Sequence, residues 1–99
     1  MSGKKESVII KIVSKEYEVI KSTPLEINDE VTWGYIDYSQ CKIHIDSDLC
    51  FQMQKNALNH EIVHGILYEM GCELHKDEQF TEAFSNILTQ VLTDNKDTL

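Results

Sequence analysis

The chain has 99 residues, a formal net charge of −8, 41% hydrophobic residues and 26% charged residues. That length suits a single domain over residues 1–99 with a thin core, to which a bound metal would add stability. An acidic surface repels phosphate backbones and anionic lipid, so neither nucleic acid nor a membrane is an expected partner.

Cys41, Cys50 and Cys72 form no CxxC pair and are odd in number, which excludes a disulfide framework and fits a reducing compartment. The N-terminal apolar run is broken by Lys11, and no stretch is long enough to span a bilayer. The expected location is therefore cytoplasmic. Nothing in the sequence sets the oligomeric state.

The first segment, SVIIKIVSKEYEVI, has apolar residues on both alternating faces. It reads as one or two strands, or as a short helix and a strand. Pro24, in STPLEIND, marks a turn. Val31–Tyr38 and Cys41–Asp46 are β-rich runs around Ser39-Gln40, and Thr32–Tyr38 with Lys42–Ile45 is expected to form a hairpin. In its second strand Cys41, Ile43 and Ile45 face one way, and Lys42, His44 and Asp46 the other.

From Phe51 the period becomes helical. Leu58, Ile62, Ile66 and Met70, with Val63 and Leu67, form an apolar stripe, and Gly71 is a natural stop. After a short loop, Asp77 is a candidate N-cap. A second helix then carries Phe80, Phe84, Ile87, Leu88, Val91 and Leu92 on one face. The expected fold class is α+β, with a small antiparallel or mixed sheet of about three strands over residues 8–46. An active helix over residues 51–70 and an antiparallel second helix over residues 78–93 complete it.

His60-Glu61-Ile62-Val63-His64 matches HExxH. Histidines at i and i+4 share a helix face and can converge on one zinc ion. Glu61 projects beside that metal without ligating it, where it can take a proton from zinc-bound water as general base. Gly65 leaves room for close backbone approach.

A catalytic site needs a third protein ligand, and the second helix offers Glu78 and Glu82. A hairpin centred near residues 73–74 brings Glu82 level with His64, so Glu82 is the expected metal ligand and Glu78 the alternative. Asn86 would then hydrogen-bond a ligand from behind. His75, Tyr38 and Tyr35 are candidate transition-state stabilisers, with Tyr68 a further candidate oxyanion donor. Trp33 is a candidate for the cleft wall, and His44 for the surface.

HEIVHGILYEMG followed by EAFSNILTQVL resembles the gluzincin type of zinc metallopeptidase. Within that type it is similar to the ImmA/IrrE-type metallopeptidases and to small phage- or prophage-encoded relatives called minigluzincins. Their pattern is HExxH on one helix and a Glu on the next, within a stretch like ExxANxFAxxLL. Glu82, Ser85, Asn86, Leu88 and Leu92 match that stretch, and WGYIDYSQCKIHID looks like the strands that precede it. The resemblance covers roughly residues 32–92. Thr89 stands where such proteins often have Ala, an LLMP-like ending is missing, and there is no helix-turn-helix domain. The resemblance implies a minimal zincin-like fold, one zinc ion held by His60, His64 and Glu82, and a phage or prophage context.

The expected function is zinc-dependent peptide-bond hydrolysis, a metalloendopeptidase activity. The expected partner is a polypeptide held extended along a sheet edge. Manganese, iron or nickel could take the same ligands. The alternatives are a zinc-stabilised binding or regulatory module with little turnover, and a phage-type regulator acting by protein–protein contact.

Overall fold

The computed structural model describes residues 8–23, 26–27 and 30–99; Pro24 and its expected turn lie outside them. The ambiguous first segment is a β-hairpin. Strands β1 (Val8–Ile12) and β2 (Lys15–Ser22) pair antiparallel, with Ile12 opposite Lys15. Their turn puts Val13 at φ 57°, a costly conformation for a β-branched residue, which is why no ordinary turn signal marks it.

A two-stranded pair, β3 (Glu26–Ile27) and β4 (Glu30–Val31), follows. The expected second hairpin is present as β5 (Gly34–Asp37) and β6 (Lys42–Asp46). The Asp37 carboxylate accepts from Ser39 Oγ at 2.8 Å and from the Gln40 amide at 3.1 Å, which closes its turn.

β6 inserts between β2, which it meets in parallel, and β5, giving the order β1-β2-β6-β5. The mixed sheet thus has four strands where about three were expected. The difference lies in the first segment, where both strands of the hairpin join the sheet. β5 forms one edge.

Alternation sets which face is buried. Ile43 and Ile45 are fully buried and, with Ile12, Tyr17, Ile36 and Ala57, make the core. Helix α1 (Phe51–Glu69) lies across this face and contains the HExxH segment. Leu58 and Ile62 pack against the core and Val63 and Leu67 are buried, as the stripe implies. Ile66 and Met70 are exposed instead. The buried face of α1 runs through Glu61, His64 and Gly65, the motif itself.

Gly65 explains how close the helix comes. A Cβ there would stand 2.8 Å from Ile12 Cδ1 and 3.2 Å from Ile36 Cδ1. Beyond α1, Gly71 takes φ 73° and ends the helix. A 3-10 turn (Glu73–Lys76) leads into helix α2 (Glu78–Asp94). Asp77 caps α2 by accepting from the Phe80 amide at 2.9 Å, as expected.

α2 packs on α1 and on the connecting turn. Asn59 bonds to Thr89 whereas His64 meets Glu78, so the two helices run antiparallel. The residues α2 buries are Thr81 and Ser85. The apolar face of α2 points away from α1, with Phe84, Ile87, Val91 and Leu92 exposed. No helix among the described residues is long and apolar enough to cross a membrane.

The close approach at Gly65 yields a stability test. Gly65→Val should lower the unfolding free energy by about 2–3 kcal/mol, because its branched side chain meets two core methyls. Urea denaturation of both proteins measures it, and equal midpoints would contradict the packing.

Candidate metal centre

His60 and His64 stand one helical turn apart on α1, with ring centroids 4.8 Å apart. His64 is buried and His60 half-buried. The Nδ1 atom of His64 lies 2.8 Å from the backbone carbonyl of His75. A carbonyl only accepts, so Nδ1 must carry the hydrogen. The Nδ1 atom of His60 lies 3.1 Å from the Glu82 carboxylate, with the same consequence. Both rings therefore turn Nε2 toward the cleft, where it bears a lone pair in the neutral ring.

Glu78 receives both. Its two oxygens stand 3.1 Å from His60 Nε2 and 3.2 Å from His64 Nε2. Lone pairs aimed at a carboxylate repel, so the contact is favourable only with positive charge between them. That charge is either a proton at each nitrogen–carboxylate contact or a metal cation. One nitrogen of His60, one of His64 and one oxygen of Glu78 lie within 4.8 Å of one another, a group of donors that could hold a metal ion. Each ring anchors its remote nitrogen on an oxygen acceptor, the arrangement that orients metal-ligating histidines. The residues thus fit a divalent cation, and two imidazoles with a carboxylate suit zinc.

Glu82, the expected ligand, sits on His60 Nδ1 and lies outside the converging group, while the alternative, Glu78, lies within it. The cause is the path of the connection. The 3-10 turn doubles back along α1, bringing the His75 carbonyl level with His64, so α2 already begins beside His64. Asn86, expected behind a ligand, reaches Glu82 Oε2 at 3.4 Å.

Glu61 is buried, with 7% exposure, and points at β5. A Cβ on Gly34 would stand 3.0 Å from its Oε2. Burial first, and the negative charge of Glu78 second, push its carboxyl up to about 8. Tyr38 lines the same cleft, and burial with the charges of Glu61 and Glu78 pushes its hydroxyl up to about 12. It stays a proton donor at neutral pH. Its ring stacks on Tyr68 at 3.9 Å, and the His75 ring stands edge-on to both.

The cleft has a volume of about 730 Å³ and is walled by β5, α1 and α2, with Trp33 at its rim. Tyr35 lies on the cleft wall, but its ring packs against His44, its cross-strand neighbour, on the sheet face turned away from α1. That makes Tyr38 and His75 the better-situated candidates.

Two contributors escaped the sequence reading. The His75 carbonyl is a backbone group, to which side-chain chemistry gives no clue. Gly34 could have been flagged, because a glycine inside a β-run marks close approach of a neighbour. Comparison with protein-family models, curated proteins and solved structures finds no match for the chain.

Two tests follow from this geometry. Zinc titration should show Glu78→Gln weakening binding by more than about a hundredfold, and Glu82→Gln by about ten- to a hundredfold. The reverse order would make Glu82 the ligand, as the sequence predicts. The second test concerns Glu61 in chelator-treated protein. Between its unfolded value near 4.5 and its folded value of about 8, the folded chain holds a proton that the unfolded chain has released. Raising the pH through that window therefore destabilises the fold. Glu61→Gln should raise the melting temperature more at pH ~8.5 than at pH ~5. An equal shift at both values would contradict the raised carboxyl.

Proposed function

We propose that this protein is a zinc-dependent metalloendopeptidase. The observation that carries the proposal is the meeting of His60 Nε2, His64 Nε2 and Glu78 in a cleft that also holds the buried Glu61 carboxyl. On this reading His60, His64 and Glu78 hold one zinc ion, and Glu82 and the His75 carbonyl fix the two rings. When bound, zinc supplies Lewis acidity, lowering the pKa of water and polarising a carbonyl.

The rest falls to the chain's own residues. Glu61 takes a proton from the attacking water and delivers it to the leaving amine, so water adds across the amide as its C–N bond breaks. A cation beside Glu61 opposes the field of Glu78 and returns the carboxyl toward its ionised, basic form. Tyr38 donates a hydrogen bond to the oxygen that gains charge. The β5 edge offers backbone groups to an extended polypeptide. The resemblance of the two helical segments to minigluzincins supports two helices sharing one metal, although it implies Glu82 as the third ligand where the geometry favours Glu78, and the phage or prophage context rests on it.

A peptide-library digest tests the activity. Zinc-loaded protein should cleave, and chelator-treated protein should not. Glu61→Gln should keep about one zinc per chain while losing about a hundred- to ten-thousandfold in rate. No cleavage by the zinc-loaded protein, or undiminished cleavage by Glu61→Gln, would count against the proposal.

A further inference from the structure

We propose that the outer face of α2 is the interface of a homodimer, made by a second copy of this chain laid antiparallel on the first. The proposal is independent of the peptidase reading. α2 is amphipathic, yet it turns its polar side to its own domain. It buries Thr81 and Ser85 against the body, and the Thr81 hydroxyl finds no partner there. Phe84, Ile87, Val91 and Leu92 are 49%, 64%, 39% and 44% exposed. Phe80 and Leu88 are half-buried beside them, and the Phe80 and Phe84 rings touch at 5.7 Å between centroids. The resulting patch is on the order of several hundred Å², the size at which an apolar surface marks an interaction site.

Charge and symmetry name the occupant. The chain carries a net charge of −8, so two copies repel unless they meet where charge is missing. From Ala83 to Thr93 no residue is charged. Glu78 and Glu82 are turned the other way, onto His60 and His64. The stripe is also self-complementary. Phe84 and Val91 lie equally far on either side of a point between Ile87 and Leu88. A two-fold axis there sets Phe84 of each copy against Val91 of the other, and the two Ile87 side chains near the axis. Two such faces together cover on the order of 1,000 Å², the lower end for a specific interface. The expected state is therefore a concentration-dependent dimer.

Sedimentation of the full chain over a wide concentration series tests this, with Ile87→Glu and Ile87→Lys alongside. Wild type should rise from the mass of one chain toward two. Each variant should stay monomeric, with unchanged circular dichroism and zinc content, because like charges then meet at the axis. An equal mixture of the two variants should recover the dimer by pairing Glu with Lys. Wild type monomeric throughout, variants that dimerise like wild type, or a mixture that stays monomeric would each overturn the proposal.

Discussion

The candidate site depends on how closely α1 approaches the sheet at Gly65. With no side chain at that position, the helix comes down until the Ile12 and Ile36 methyls reach its backbone. The residues on either side of this contact are committed by helical geometry. Glu61, four residues earlier, is driven against Gly34 on the edge strand. His64, the immediate neighbour, is buried. A glycine in mid-helix costs about 1 kcal/mol of helix propensity, and here it gives the motif its depth.

Depth alone would leave the two imidazoles free to choose a tautomer. They are held from opposite directions by different means. His64 is fixed by a backbone carbonyl of the connecting turn, and His60 by the Glu82 carboxylate of α2. The turn is in turn anchored by aromatic packing, with the His75 ring set edge-on against the Tyr38–Tyr68 stack. The β5–β6 turn, α1 and the 3-10 turn therefore meet at one point, and the hydrogen on His64 Nδ1 depends on all of them. Lys15 reinforces the same end of α1, pairing with Glu69 at 3.1 Å while Tyr17 donates to that carboxylate at 3.3 Å.

How much of this was legible in the sequence follows from the range of each interaction. The β6 strand declared its buried face through Ile43 and Ile45, and the HExxH spacing put both histidines on one side of a helix; both are local patterns. The first hairpin was ambiguous because Val8–Val13 is apolar on both faces and its turn uses Val13 in a conformation that glycine or asparagine usually signals. Which of Glu78 and Glu82 lies in the converging group could not be read from spacing. It depends on a turn that doubles back along α1, and one helical turn of register separates the two glutamates. The α2 pattern showed that Phe84, Ile87 and Val91 want cover, but amphipathicity does not say whether that cover comes from the same chain.

The charge arrangement has a physical logic that the fold by itself does not explain. Glu61, Glu78 and Glu82 share one cleft, and Glu61 is both buried and exposed to the field of Glu78. A domain this small has little stability to spare, and an apolar residue at position 61 would sit more favourably among Ala57, Gly34 and Gly65. Local rules broken together at one place are the mark of a site whose chemistry sets its residues. On the proposed reading, a divalent cation between His60, His64 and Glu78 would resolve the conflict on both counts. It would offset the Glu78 charge, which adds to burial in holding Glu61 protonated, and it would give the two Nε2 lone pairs something to face. The arrangement is consistent with itself only when positive charge is counted as part of it.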